Sequence, residues 1–299
     1  MIDRFKLLYD WGADGVKNQI AEEYLGLNPN LTTEQIDLLY QTQGVDKEYL
    51  ARYSKLTEEQ FMRLFNDEDL NKKNLAQNRN LTTEQIDLLY DAGVVKDNLA
   101  QYPKLTEEQF MRFFNYPSRE IKNNLARNRN LTPEQIDLLY QIKDLNKKYL
   151  AAYPKLTNEQ FMRFFNDEVF DKDNLAFNPY LTPEQIDLLY DAGANNKKYL
   201  ARNARLTDEQ FMRLFNDGGL HNSYLTQNPN LTPEQIDLLY YTKGGDKKNL
   251  ALNPRLTDEQ FLRAFNDGSV LIKYHLAQNP SINPPANQPF ASGIFNWRW

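Results

Sequence analysis

Five near-identical decapeptides, each starting fifty residues after the last, fix what this chain can fold into. LTTEQIDLLY stands at 31–40 and 81–90, and LTPEQIDLLY at 131–140, 181–190 and 231–240. Midway between them runs a second version: LTEEQFMRLF at 56–65, LTEEQFMRFF at 105–114, LTNEQFMRFF at 156–165, LTDEQFMRLF at 206–215 and LTDEQFLRAF at 256–265. The unit is therefore about 25 residues, alternating between a type A (EQIDLLY) and a type B (EQFMRLF). Ten units cover 31–280. One A unit is a residue short at Asp91-Ala92-Gly93-Val94-Val95, and the next B unit is a residue long at Asn115-Tyr116-Pro117-Ser118-Arg119, which restores the frame. A period in this range belongs to stacked supersecondary units, each unable to bury its apolar face alone.

Each unit reads as two helices. In the unit that opens at Leu31, Thr32 is the expected N-cap and Gln35 the N3 partner of a capping box, with Leu31 stapled on Ile36. Pro133, Pro183 and Pro233 fall at the first helical position, where a missing N–H costs nothing. Ile36, Leu39 and Tyr40 form the apolar stripe, and Gly44 is expected to end the helix in a left-handed turn. A shorter helix follows from about Asp46 to Arg52, carrying Tyr49, Leu50 and Ala51, before Asn-Pro or Tyr-Pro breaks it. A helix that short is unstable alone and must take its stability from its neighbours. The fold class expected is all-α, a right-handed helical-repeat solenoid of two-helix units. Residues 1–30 are expected to form a degenerate capping repeat, with Phe5, Leu8 and Tyr9 echoing an A helix and Ile20, Tyr24 and Leu25 a second one. Residues 31–280 form the ten-unit array. Residues 281–299 form a Pro-rich aromatic tail, either strapped over the last unit or docking elsewhere.

Composition removes several function classes. Cysteine is absent and histidine occurs twice, so disulfide scaffolds, thiol nucleophiles, Cys-ligated metal sites and His-rich relays are excluded. No run approaches the roughly 18 apolar residues of a membrane span, and the start lacks the apolar core of a secretion signal. A cytoplasmic location is the expectation. No phosphate loop, dinucleotide loop, HExxH, EF-hand or GxSxG pattern occurs, so no cofactor, metal or catalytic residue is assigned and the chain is read as a non-enzyme.

The segment Leu125-Ala-Arg-Asn-Arg-Asn-Leu-Thr-Pro-Glu-Gln135 resembles the leucine-rich repeat variant, a HEAT-like α-solenoid repeat, as do 225–232 and 250–257. The resemblance implies stacked longer and shorter helices over about 31–280. It implies little about activity, because such arrays include protein scaffolds and DNA-reading glycosylases alike. The chain departs from that family in its A/B alternation and aromatic content. It also lacks the cysteine cluster that a founding member carries beside its repeats, so no iron–sulfur function is implied.

Several polar rows repeat. Three residues before each second-helix leucine stand Lys47, Lys72, Lys96, Lys122, Lys147, Lys172, Lys197, Asn222, Lys247 and Lys273. Neighbouring helices pack roughly 8–10 Å apart, so these lysines could form a basic track for a nucleic-acid backbone. Alternatively, their stems cover apolar surface and their ammonium groups meet nearby carboxylates. Asp37, Asp87, Asp137, Asp187 and Asp237 are expected to pair across unit borders with Arg63, Arg112, Arg163, Arg213 and Arg263. Catalytic acids would be singular rather than repeated. Asn66, Asn115, Asn166, Asn216 and Asn266 are expected C-caps in the left-handed region, and Asn78, Asn128, Asn178 and Asn228 are expected Asx turns. Tyr40, Tyr90, Tyr140, Tyr190 and Tyr240 are read as core. Met62, Met111, Met162 and Met212 are core or groove lining, and His221 and His275 have no ligand companions.

The function expected is non-catalytic: a protein-binding or structural scaffold that uses an extended surface. The variable stretches between first and second helices would do the binding, and Phe290, Phe295, Trp297 and Trp299 could mediate docking or self-association. Nucleic-acid binding through the lysine row is the alternative.

Overall fold

The computed structural model describes residues 3–12, 25–42, 44–94, 96–168, 170–193, 197–203, 205–217, 221–267 and 269–282. Among these residues the fold is all-α, built of right-handed helical repeats without a strand. Two compact bodies result: a central one, Leu81–Leu225, and a terminal one that joins Met1–Asn80 with Thr226–Trp299.

The first helices owe their start to the capping box. At all ten repeats, from Thr32 to Thr257, the threonine side chain accepts from the N3 glutamine N–H and that glutamine bonds back to the threonine backbone. Each helix is only 8–10 residues long, so this local closure matters for its stability. Its inward stripe is Ile or Phe followed by Leu or Phe, with Ala264 in that second place in the last repeat. Ile36 and Leu39, and likewise Phe61 and Leu64, are at most 1% exposed. The second helices run from four residues, at Lys73–Ala76 and Asp173–Ala176, to eight, at Arg119–Ala126 and Val270–Ala277, and bury their Leu-Ala pair completely, as at Leu50-Ala51 and Leu75-Ala76. Burying each such leucine contributes about 1.5–3 kcal/mol.

Consecutive repeats are tied by side chains that cap and cross at once. In every B repeat the capping glutamine sends its amide to the first-turn carbonyl of the preceding A helix. Gln60, Gln109, Gln160, Gln210 and Gln260 donate Nε2–H to the carbonyls of Thr33, Thr83, Pro133, Pro183 and Pro233 at 2.8–3.0 Å. Asn78, Asn128 and Asn178, which follow second helices of B repeats, act similarly. Asn178 Oδ1 accepts from Tyr180 N–H (2.9 Å), the expected Asx turn, while its Nδ2 donates to the Ala151 and Pro154 carbonyls of the preceding repeat (2.7 and 2.9 Å). Asn78 and Asn128 repeat the pattern.

Where B is followed by A, the contacts are different. Asn203 and Asn253 donate to the carbonyls of Asn178 and Asn228, the asparagines of the preceding B repeats, and Gln135 Nε2 reaches the Glu107 carboxylate at 2.8 Å. The A–B pair is thus one kind of interface and the B–A border another.

In the terminal body the two ends of the chain meet by that second kind of interface. Asn28 donates Nδ2–H to the Asn279 carbonyl (2.7 Å) and Asn30 to that of Pro280 (2.9 Å). The helix Arg4–Gly12 packs against Val270–Ala277, with Phe5 and Leu8 buried. Arg4 occupies the slot of the A-type glutamine and Asp258 that of Glu107. Arg4 Nε and Nη2 bond Asp258 Oδ1 at 3.1 and 2.8 Å. The guanidinium also reaches Ser281 Oγ and the Leu256 carbonyl, and stacks over Phe261 at 4.8 Å. The final B repeat therefore has the first repeat as its neighbour.

Three expectations are corrected. Gly44 has φ +91° but does not end its helix. The helix stops at Gln41, capped by extended Thr42, whose hydroxyl donates to the Leu38 carbonyl. Asn115 and Asn166 do cap B helices, in right-handed rather than left-handed geometry, and Asn66, Asn216 and Asn266 are still helical, with aspartate after them. The tyrosines from Tyr40 to Tyr240 are half-buried border residues rather than core, because each hydroxyl needs a polar partner at the repeat edge.

Candidate interaction surfaces

Each A–B border carries the same charged assembly. The five expected Asp–Arg pairs all form: Asp37–Arg63 (2.5 Å), Asp87–Arg112 (2.9 Å), Asp137–Arg163 (3.1 Å), Asp187–Arg213 and Asp237–Arg263. Gln60, Gln109, Gln160 and Gln260 donate to the same aspartates. The arginine lies over the tyrosine of the preceding repeat, and the row lysine covers the same ring. Lys47, Lys96, Lys147, Lys197 and Lys247, with the five arginines, sit 3.9–4.9 Å from the centroids of Tyr40, Tyr90, Tyr140, Tyr190 and Tyr240.

An aspartate absent from the expected set completes it. Lys47, Lys197 and Lys247 bond Asp67, Asp217 and Asp267 at 2.9–3.1 Å, and Tyr40, Tyr190 and Tyr240 donate to the same carboxylates. The signal was an aspartate directly after the B-helix asparagine, which reads as an ordinary polar helix end. In the B repeats Lys72, Lys172 and Lys273 lie 4.8–5.7 Å over Phe65, Phe165 and Phe265. Lys122 is half-buried.

These pairs specify which repeat types adjoin more than they add stability. Both partners of Asp137–Arg163 are partly exposed, 46% and 32%, so a double-mutant cycle with Asp137→Asn and Arg163→Gln should give a coupling of about 0.2–1 kcal/mol in urea unfolding. A coupling near zero would make the pair ornamental.

Titration follows the same geometry. The Lys47 ammonium holds Asp67 below the usual carboxylate range, and the Tyr240 hydroxyl together with Lys247 does the same for Asp267. In return, Asp67, Asp217 and Asp267 raise Lys47, Lys197 and Lys247. A depressed aspartate adds stability that is complete above its unfolded value, about 3.9, and lost as pH falls through the lower folded value. A raised lysine adds stability present below about 10.4 and lost as pH climbs through its folded value. The combined variant Asp67→Asn/Asp217→Asn/Asp267→Asn should therefore lose stability at pH 7. It should also show a shallower decline than the parent below about pH 4. Parallel curves would contradict this.

Other expected residues fall apart from one another. Met62, Met111 and Met162 are half-buried and Met212 is 41% exposed, so they are not core. His275 Nδ1 lies 2.7 Å from the Leu271 carbonyl. The His221 side chain and the tail residues Phe290, Phe295, Trp297 and Trp299 lie outside the described residues. Among the described residues no three His, Asp or Glu side chains converge on a metal position, and no helix is long and apolar enough to cross a membrane.

Two surface features were not foreseen. Leu38, Leu88, Leu138, Leu188 and Leu238 are 36–42% exposed, since the helical turn that buries the following leucine faces this one outward. On the short helices of the central body, cationic and aromatic side chains stack. Arg127 lies 3.9 Å over Tyr149, and Arg202 4.7 Å over Tyr224. Phe177 and Tyr199 have ring centroids 3.8 Å apart. A cleft of about 410 Å³ opens beside Arg127, lined also by Arg119, Glu120, Asn123, Asn124 and Tyr149.

Compared with known proteins, the chain matches no family model and none of the curated proteins. Its kinship is architectural: a helical-repeat fold of alternating two-helix units, shown by its own coordinates rather than by membership of the leucine-rich repeat variant or HEAT families.

Proposed function

We propose that the chain is a non-catalytic scaffold that binds protein on its exposed repeat surface, in the manner of leucine-rich repeat variant and HEAT-like arrays, inside the cytoplasm. The observation that carries this reading is the division of labour among repeated positions. The recurring polar side chains pair with one another at the borders, while a leucine at the same position of every A repeat is left to solvent. An extended surface with apolar contacts and no singular chemical centre suits a protein partner. Phe290, Phe295, Trp297 and Trp299 supply a second docking element, to a partner or to another copy.

Nucleic-acid binding by the lysine row is the second reading. What weighs against it is that Lys47, Lys197 and Lys247 already serve carboxylates.

Tagged full-length chain and a form ending at Pro280 would be compared for captured proteins, and for gel-shift binding to generic duplex and single-stranded nucleic acid at low salt. Specific protein partners, some lost with the tail, are the expected result. Nucleic-acid binding that falls when alternate row lysines are replaced, without protein partners, would overturn it.

A further inference from the structure

The last A–B pair departs from the others in what it shows to solvent. Two second helices of B repeats run to eight residues from a serine cap, Arg119–Ala126 from Ser118 and Val270–Ala277 from Ser269. Their third residues, Ile121 and Ile272, are buried alike. The two positions before them hold Arg119 and Glu120 in the first helix, charged as an exposed turn favours. In the last repeat they hold Val270 and Leu271, 51% and 42% exposed. Tyr241, 72% exposed, stands where the other A repeats carry Gln41, Asp91, Gln141 and Asp191. Its hydroxyl accepts from Arg263 Nη1 at 3.0 Å, and the neighbouring Tyr240 donates to Asp267, three residues before Val270. Three exposed apolar side chains thus fall in the pair just before the tail, where the comparable positions elsewhere are polar.

The tail cannot continue the array from here. The face of the last repeat that a following helix would cover is held by Arg4–Gly12, which packs on Val270–Ala277 and buries Phe5 and Leu8. Residues 283–299 therefore leave from a fixed point. Ile282 is buried, Arg4 holds Ser281, and Asn30 holds the Pro280 carbonyl. Beyond it lie Phe290, Ile294, Phe295, Trp297 and Trp299, with Arg298 as the one charged side chain. We infer that this tail folds back on its own last repeat, its aromatic residues packing on Tyr241, Val270 and Leu271. The reach suffices. Seven residues, Asn283 to Pro289, precede Phe290 and span at most about 25 Å. The eight-residue helix from Val270 to Ala277 is only about 12 Å long. A segment tethered so closely meets its seat at a millimolar effective concentration, which favours its own chain over a second copy. The outward leucines are a poorer seat. Leu38 and Leu238 adjoin Asp37 and Asp237, whose pairs with Arg63 and Arg263 would lose water under a neutral segment, and they recur in repeats that no tail follows. This inference goes beyond the protein-binding reading: it gives the tail a resting place from which a partner would have to draw it.

The test is tryptophan fluorescence of the full-length protein. The chain has three tryptophans, and a form ending at Ile282 keeps only Trp11, so the difference between the two reports Trp297 and Trp299. Expected is blue-shifted emission shielded from acrylamide. In Tyr241→Gln/Val270→Arg/Leu271→Glu, which takes its side chains from the comparable positions of other repeats, that emission should shift red and lose its shielding. Leu38→Glu/Leu238→Glu should leave it unchanged. Thermal melts establish that each variant folds. A synthetic 283–299 peptide titrated onto the form ending at Ile282 repeats the comparison without the tether, and should bind the triple variant about tenfold more weakly or worse. Water-exposed tryptophans in the parent, no response to the triple variant, or a response to the leucine pair would overturn the inference. So would light-scattering masses showing a dimer that the triple variant dissolves, since the tail would then sit on a second copy.

Discussion

Arg4→Ala should unfold at a distinctly lower urea concentration than the parent, by the equivalent of about 2–4 kcal/mol, although it lies four residues from the start of the chain. Terminal residues usually tolerate such changes. Arg4 is 7% exposed and binds the Asp258 carboxylate, Ser281 Oγ and the Leu256 carbonyl, all on the far end of the sequence. Truncation leaves the buried Leu256 carbonyl and Ser281 hydroxyl without that donor. Asp258 is 40% exposed and can rehydrate, which keeps the expected cost below the upper limit for buried pairs. Lys6→Ala removes only a solvent-exposed pair with Asp10 and should leave the urea midpoint essentially where the parent's lies. Equal effects of the two substitutions would show that the ends of the chain do not depend on each other.

Asn178→Ala should cost a similar amount, about 2–4 kcal/mol, through a different route. The side chain is 2% exposed, and it satisfies the Tyr180 N–H and two carbonyls, those of Ala151 and Pro154. Alanine strands all three groups in a place water does not reach, and a buried backbone group left unpaired is expensive. Asn178→Asp is the sharper control. It keeps an acceptor for Tyr180 N–H but sets a negative charge against two carbonyl oxygens, so it should be at least as damaging at pH 7. A loss within about 0.5 kcal/mol for Asn178→Ala would mean that the inter-repeat bonds are replaced by solvent.

Much of this was legible because its causes are local. Thr and Gln three residues apart give a capping box wherever they occur before an apolar stripe, and all ten formed. The Asp37–Arg63 border was legible too, because internal repetition puts opposite charges at adjacent helix positions. The second use of Gln60, reaching the Thr33 carbonyl, was not: a cap explains the residue fully, so nothing in the pattern asks for more. The stripe of Ile36 and Leu39 was legible from helical spacing, and Leu38, one residue off that face, is the leucine left 41% exposed.

The meeting of the ends was hidden more deeply. Phe5-Lys6-Leu7-Leu8-Tyr9 visibly echoes Ile86-Asp87-Leu88-Leu89-Tyr90, but an echo states what the element is and not what it packs on. Arg4 in the glutamine slot opposite Asp258 is the one local mark, and it gains meaning only beside the Gln135–Glu107 contact.

The absence of cysteine makes the most direct measurement simple. Spin labels on Asn30→Cys and Gln278→Cys, with double electron–electron resonance on the full-length protein, read the separation of the first and last repeats. The Asn28–Asn279 and Asn30–Pro280 bonds require a distance within about 25 Å, label arms included, given helix spacings of roughly 8–10 Å. A distribution centred beyond about 60 Å, as successive repeats at that spacing would give with unjoined ends, would contradict the end-to-end interface.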